Sequence, residues 1–234
     1  VTLPGSSLAT SPADLVAACR FLASLAADHP DTVVHSSRSP AHVAAGLVKT
    51  PSMRLIHLRG GAAPPRGGAL NRFLYRRRTD AVITSSGRVA SWVRERLGVS
   101  DGRVFRLFLP VDVERFGAAD GAAVARVRSQ FGVAADARLV VNVARLAPIK
   151  GHEVLLDGWA RAAREPASAV LALVGEPWSG QPDGLRARAA DLGVSESVRF
   201  VGRRDDVPAV LAAADVCVCS SVGSEENSRA VSEY

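Results

Sequence analysis

Residues 138–150 read RLVVNVARLAPIK, and Gly151 stands directly behind them. Leu139 to Val143 is a short apolar run rich in β-branched residues, the pattern of a buried strand. It ends in a loop that carries Arg145 and Lys150. Gly151 then opens HEVLLDGWARAAR, where Val154, Leu155, Trp159 and Ala162 fall at helical spacing. A strand, a short loop with two cations and a helix make the first half of a βα unit. Open α/β sheets bind ligands beyond the carboxyl ends of their strands, where this loop falls. The guanidinium of Arg145 suits a fork onto a phosphate, Lys150 supplies a point charge, and helix amides stand beside both. The loop alone leaves two readings open: a diphosphate site, or two solvated cations.

Outward from this stretch the rhythm continues. Strands are expected at 139–143, 169–174, 198–201 and 215–219, separated by helices over 151–164, 183–192 and 206–213. Towards the amino terminus, Ser11-Pro12-Ala13-Asp14 starts a helix, Asp31 to His35 reads as a strand, and Pro40 opens a helix to about Lys49. A strand from Arg54 to Leu58 follows, then the loop RGGAAPPRGG and the basic helix ALNRFLYRRR. The alternation runs on through a strand at 79–84, a helix at 85–97 and a strand at 103–107. Such βαβα order marks parallel sheets covered on both faces. PVDVERF, at 110–116, breaks it, and a polar helix over about 122–131 precedes the restart at Leu139. The chain is therefore expected to be α/β, with two Rossmann-like domains, 1–111 and 112–234, facing across a cleft. A doubly wound domain has about five or six strands, and about four are visible in each block. Both domains are thus expected to be truncated, and the fragment inactive or weak.

Composition narrows the function classes. The 234 residues suffice for a sizeable core, and 47% hydrophobic with 22% charged residues is ordinary for a globular chain. The net charge of +6 invites a polyanion partner, but no aromatic-interleaved basic patch or zinc-ligand spacing accompanies it, so no nucleic acid is expected. No apolar run approaches the roughly 20 residues needed to span a bilayer. Cys19, Cys217 and Cys219 fit reduced thiols of a cytoplasmic protein. The alternation in DVCVCS favours burial of the last two over a metal or redox pair.

The final stretch, SSVGSEENSRAVSEY, carries Glu225 and Glu233, eight residues apart. On a helix that separation is about 80° around the axis, with Asn227 or Ser228 as N-cap. Carboxylates so placed suit sugar hydroxyls and a ribose diol, or else decorate a solvated helix.

Five motifs in order, VARLAPIKGHEVLLDGWA, LALVGE, VRFVGRRDDVPAVLAAADVCVCSS, the Glu225–Glu233 spacing and LPVDVERFG, resemble the retaining family 4 glycosyltransferases of the GT-B fold. The resemblance covers residues 80–234 well and 30–80 loosely. It departs at Leu109-Pro110-Val111, where the family's interdomain link carries Pro-Asn-Gly, and this changes the turn chemistry. The Gly-rich loop that helps bind donor phosphate in the family's first domain is not found here.

What the resemblance implies is specific. A nucleotide diphosphate sugar is the donor, with no cofactor and no metal, because Arg145 and Lys150 neutralise the departing diphosphate. Glu225 sits by the donor sugar and Glu233 by the ribose. Gly175 lets the backbone approach the donor, or is a plain turn glycine. Gly202 and Arg203 lie near the base, although Arg203 also reads as a solvated charge. On the acceptor side stand His35, Arg59 and Arg66. The family's second histidine is replaced by Ser37, and His42 reads as structural. The run Arg72, Arg76, Arg77 and Arg78 reads either as a contact for anionic lipid or acceptor, or as a solvated helix end. The expected protein is a cytoplasmic glycosyltransferase acting with retention on a glycan, lipid-linked or small-molecule acceptor, with peripheral membrane contact. The alternatives are a GT-B nucleotide-sugar epimerase and a non-catalytic nucleotide-binding module.

Overall fold

Strand and helix alternate through the residues that the computed structural model describes, which are 12–60, 63–108, 110–117, 120–162, 169–177, 181–222 and 233. The chain divides into two units, Val1–Leu109 and Pro110–Tyr234.

In the first unit β1 (Val33–Ser36), β2 (Arg54–Arg59), β3 (Ala81–Thr84) and β4 (Val104–Arg106) lie side by side in chain order, all parallel. Helices α1 (Pro12–Asp28), α2 (Ser39–Val48), α3 (Ala69–Phe73) and α4 (Gly87–Leu97) connect or flank them. Small residues let α1 and α2 approach closely: Ala18 and Leu22 pack on Ala44, Ala45 and Leu55. The α4 helix packs Ala90, Val93 and Leu97 on Val82 and Val104.

The second unit holds β5 (Arg138–Val143), β6 (Ala169–Val174), β7 (Val198–Gly202) and β8 (Val216–Cys217), parallel in the order β7-β6-β5-β8. Its described helices are α5 (Val113–Gly117), α6 (Gly121–Gln130), α7 (His152–Ala162), α8 (Gln181–Asp191) and α9 (Val207–Ala213). Period-two alternation sends the two sides of β6 into different cores. Val170, Ala172 and Val174 meet Val127 and Phe131 of the α6 region and Val210 of α9. Leu171 and Leu173 meet Leu156 and Trp159 of α7 and Leu185 of α8. Burial on both faces is why β5 and β6 read as unbroken apolar runs.

One device recurs in both units. Asp80, just before β3, accepts a 2.7 Å bond from the Leu55 amide and donates its own amide to the Leu55 carbonyl at 2.8 Å. Asp215, just before β8, does the same with Leu139, at 2.7 and 2.8 Å. Each aspartate thereby fixes the start of an incoming strand against its neighbour. Lys49 lies 3.2 Å from Asp80, while Arg128 and Arg138 bond Asp215. The Leu139 amide, helped by these arginines, holds the Asp215 carboxyl down at about 2.

Three local expectations need correction. The buried face of α7 comprises His152, Leu156 and Trp159, and Val154 is 58% exposed. The helical pattern admitted both faces, and the packing of β6 selects one. Cys219 is exposed and Cys217 only half-buried, because β8 is a two-residue strand at the edge of the described sheet. The basic segment ALNRFLYRRR begins as α3 but becomes a π-helical turn over Leu74–Arg78. That turn buries Leu74 and Tyr75 side by side. Arg78 donates to the carbonyls of Gly46 (2.8 Å) and Lys49 (2.7 Å) at the end of α2, and Arg72 donates to the Arg96 carbonyl at 3.2 Å near the end of α4. These two cations satisfy orphan carbonyls where the helix dipole is negative.

Beneath the π turn lies a buried aromatic cluster. His42 stacks on His57 with centroids 4.1 Å apart, and Tyr75 sets its edge against both. His42 Nε2 bonds Thr79 Oγ1 at 2.7 Å, and His57 Nδ1 lies 3.0 Å from Ser36 Oγ. Burial, with the Arg59 charge second, lowers His42 to about 4. Burial, then His42 and Arg59, lowers His57 to about 3. Both imidazoles are neutral in the folded state, whereas the unfolded chain protonates them near pH 6.5. Their contribution to stability is therefore complete above about pH 6.5 and is lost as pH falls towards 4. Between pH 6.5 and 5 the loss is about 2 kcal/mol per histidine. Urea unfolding at the two pH values should show it, with a smaller loss in His57→Phe; equal stability at both would contradict the neutral pair.

Candidate functional site

The Arg145–Lys150 loop is held at the carboxyl rim of the second sheet by its backbone. Ala144 N–H donates to the Val174 carbonyl at 2.9 Å and Leu146 N–H to the Glu176 carbonyl at 2.8 Å, prolonging the β5–β6 pairing past the strand ends. Leu146 and Ala147 are buried between the exposed Arg145 and the half-buried Lys150. A tight turn over Pro148–Lys150 follows, with Lys150 N–H donating to the Ala147 carbonyl at 2.9 Å.

Gly151 then fixes the loop to another part of the chain. Its φ is +67°, and a Cβ there would overlap the Ser220 carbonyl oxygen and meet Val222 Cγ1 at 2.8 Å. The approach is tied by Ser220 Oγ donating to the Lys150 carbonyl at 2.8 Å and Val222 N–H donating to the Ile149 carbonyl at 3.0 Å. The loop with the two cations thus lies against the segment leaving β8, just ahead of Glu225. Directly after Gly151, His152 is buried, and burial lowers its pKa. Its ring bonds the Ala147 backbone, and Nε2 has no hydrogen-bond partner among the described residues.

Gly175 lies at the same rim. A Cβ on it would overlap the Ala144 carbonyl oxygen, and its amide donates to the Gly202 carbonyl at 2.8 Å. Gly202 has φ +80° with open space where a Cβ would be. Arg203 bonds Glu176 Oε1 at 3.1 Å and Asp205 Oδ1 at 3.3 Å. It is therefore a paired charge, and Glu176 is a rim carboxylate that the sequence reading passed over. Backbone pairing brings Arg145, Lys150, Gly175, Gly202 and Arg203 to one edge. Glu233 is helical and half-buried, and Glu225, like the N-cap candidates Asn227 and Ser228, lies outside the described residues.

In the first unit, His35 is exposed on β1, and its ring makes no hydrogen bond among the described residues. Arg59 ends β2, half-buried, and donates to the Ala63 carbonyl at 3.0 Å. Residues missed at the sequence level are His57 and Tyr75, which Ser36, Arg59 and the π turn bring together. No local signal marked them, since the turn type decides that Tyr75 points inward. Among the described residues no helix is long and apolar enough to cross a membrane.

Residues 137–234 match the family model described as glycosyl transferases group 1. The lipopolysaccharide core biosynthesis glycosyltransferase LpsE of Rhizobium meliloti is 33% identical over 150 residues, 64% of this chain and 40% of LpsE. D-inositol 3-phosphate glycosyltransferase 2 of Catenulispora acidiphila is 36% identical over 129 residues, 52% of this chain and 30% of that protein. The chain thus spans less than half the length of these curated relatives. Among solved structures, Anabaena HepE in complex with UDP and glucose superposes with a TM-score of 0.77 at 22% identity, over 98% of this chain and 61% of HepE. That likeness shows a shared fold, the GT-B type expected from the sequence. Over residues 137–234, the chain is thus similar to the group 1 glycosyl transferases.

Proposed function

We propose that the chain is part of a glycosyltransferase that moves a sugar from a nucleotide diphosphate donor to an acceptor, with retention of configuration. The observation that carries this reading is the fixing of the Arg145–Lys150 loop onto Ser220 and Val222 by Gly151. Two cations on a loop with so little backbone freedom are preorganised for an anion whose charge grows as the bond to the sugar breaks. Arg145 is suited to a bidentate contact and Lys150 to a point charge on the departing diphosphate. These charges take the electrostatic role that a metal plays elsewhere, so the reaction is proposed to need no metal or cofactor. Glu225 and Glu233 follow the segment that Gly151 holds, and their proposed partners are the donor sugar and the ribose. Gly175 and Gly202 leave the rim open to the nucleotide. Glu176 holds Arg203 near the base. The acceptor is proposed to be a glycan, a lipid-linked group or a small molecule. The UDP and glucose in HepE and the lipopolysaccharide role in the name of LpsE support this substrate class.

Calorimetry of the chain with UDP, GDP and ADP tests the donor. One diphosphate is expected to bind, and Arg145→Ala with Lys150→Ala should weaken it by about 100-fold; unchanged affinity would overturn the assignment. Gly151→Ala forces a side chain into a backbone carbonyl at positive φ. It should destabilise the second unit by about 2 kcal/mol or more and weaken the same diphosphate, whereas a neutral effect in thermal melts would show that the close contact is not maintained.

A further inference from the structure

Ala147 links both cations of the rim loop through its backbone. Its amide donates to the Arg145 carbonyl at 2.7 Å, and its carbonyl accepts the Lys150 amide at 2.9 Å. Ala147 itself is buried, and its neighbour Leu146 packs in one cluster with Leu156 and Trp159 of α7. A shift at this one residue therefore moves both charges together. What holds it from the helix side is His152, the first residue of α7.

His152 is only 3% exposed, and a neutral imidazole has a single N–H to place. The ring bonds the Ala147 backbone, whereas Nε2 is buried with no hydrogen-bond partner among the described residues. The bond therefore runs from Nδ1–H to the Ala147 carbonyl, which leaves Nε2 as a bare lone pair. The opposite tautomer would bury an unmatched donor and release the carbonyl as well, at greater cost. Burial does most to keep the ring neutral; the Ala147 bond opposes it and the Lys150 charge adds to it. Two further side chains brace the same rim. Asn142 Nδ2 donates to the Val218 carbonyl at 2.7 Å, and Ser220 Oγ donates to the Lys150 carbonyl at 2.8 Å. Those two tie the segment after β8 to its neighbours, and His152 ties the loop to α7.

We propose that His152 is a positioning residue: its Nδ1–H holds Ala147, and through it the stems of Arg145 and Lys150, in the arrangement that receives a diphosphate. The effect on the diphosphate rests on the donor site proposed above; the hold on the loop does not. The imidazole need not touch the ligand. A loop preset in this way spares the ligand the cost of ordering it, so loss of the bond appears in affinity.

Two substitutions separate the bond from mere packing. His152→Asn puts an amide nitrogen where Nδ1 stands, and His152→Gln puts one nearer to Nε2. Volume alone favours glutamine, the larger of the two, whereas the bond favours asparagine. Hydrogen exchange of the Lys150 and Gly151 amides is read first, without nucleotide, beside the ring-nitrogen signals of the wild type. The proton is expected on Nδ1. Exchange protection should stay within about threefold of wild type in the asparagine variant and fall by about tenfold in the glutamine variant. In calorimetry, the diphosphate that binds the wild type should bind the asparagine variant within about threefold and the glutamine variant about tenfold more weakly. A proton on Nε2 would overturn the proposal. So would protection in the glutamine variant equal to or above that in the asparagine variant, or equal affinity of the two for a diphosphate that the wild type binds. If no diphosphate binds the wild type while the exchange pattern holds, the donor reading fails and the hold of His152 on the loop stands.

Discussion

Where Gly151 meets the Ser220 carbonyl there is no room for even one methyl group. That close approach joins a loop that follows β5 to a segment that follows β8, strands that neighbour each other in the sheet but lie far apart in the chain. Once the loop is held there, Arg145 and Lys150 have little backbone freedom left, and any anion they meet finds them already placed. The same economy appears at Gly175, where the Cα lies against Ala144 O and the amide reaches the end of β7. The rim of the second sheet is built of backbone packed on backbone, and the side chains proposed to meet the donor stand on it.

Upstream of the rim, the sheets depend on a repeated choice. Asp80 and Asp215 each sit one step before a strand and exchange two hydrogen bonds with the residue opposite, Leu55 or Leu139. A carboxylate that accepts a backbone amide at a strand start fixes register, because a one-residue slip would unpair it and turn every side chain to the other face. The first unit adds a buried His42–His57–Tyr75 cluster beneath the π turn. Neutral imidazoles stand beside Arg59, and among the described residues no carboxylate pairs with that cation.

Much of the α/β fold could be read from the sequence, because parallel strands buried on both faces write themselves as apolar runs. RLVVNV and AVLALV fall where β5 and β6 lie, and the cationic loop between β5 and α7 was evident from Arg145, Lys150 and Gly151. Local spacing was silent on what the third dimension decides. Val154 and Leu156 fit helical faces equally well until the sheet selects one. Cys217 and Cys219 alternate like core residues, yet β8 sits at the edge of the described sheet. The arginines around the π turn looked like one basic surface, but Arg72 and Arg78 cap two different helices. The pairing of Arg203 with Glu176 joins residues 27 positions apart, and no motif links them.

The measurement that bears most directly on the rim is a crystal structure of the chain bound to UDP. The β-phosphate is expected within hydrogen-bond distance of both Arg145 and Lys150, with the Gly151–Ser220 contact intact. A diphosphate seated away from that loop, or a loop lifted from Ser220 when the nucleotide binds, would contradict a preorganised donor site.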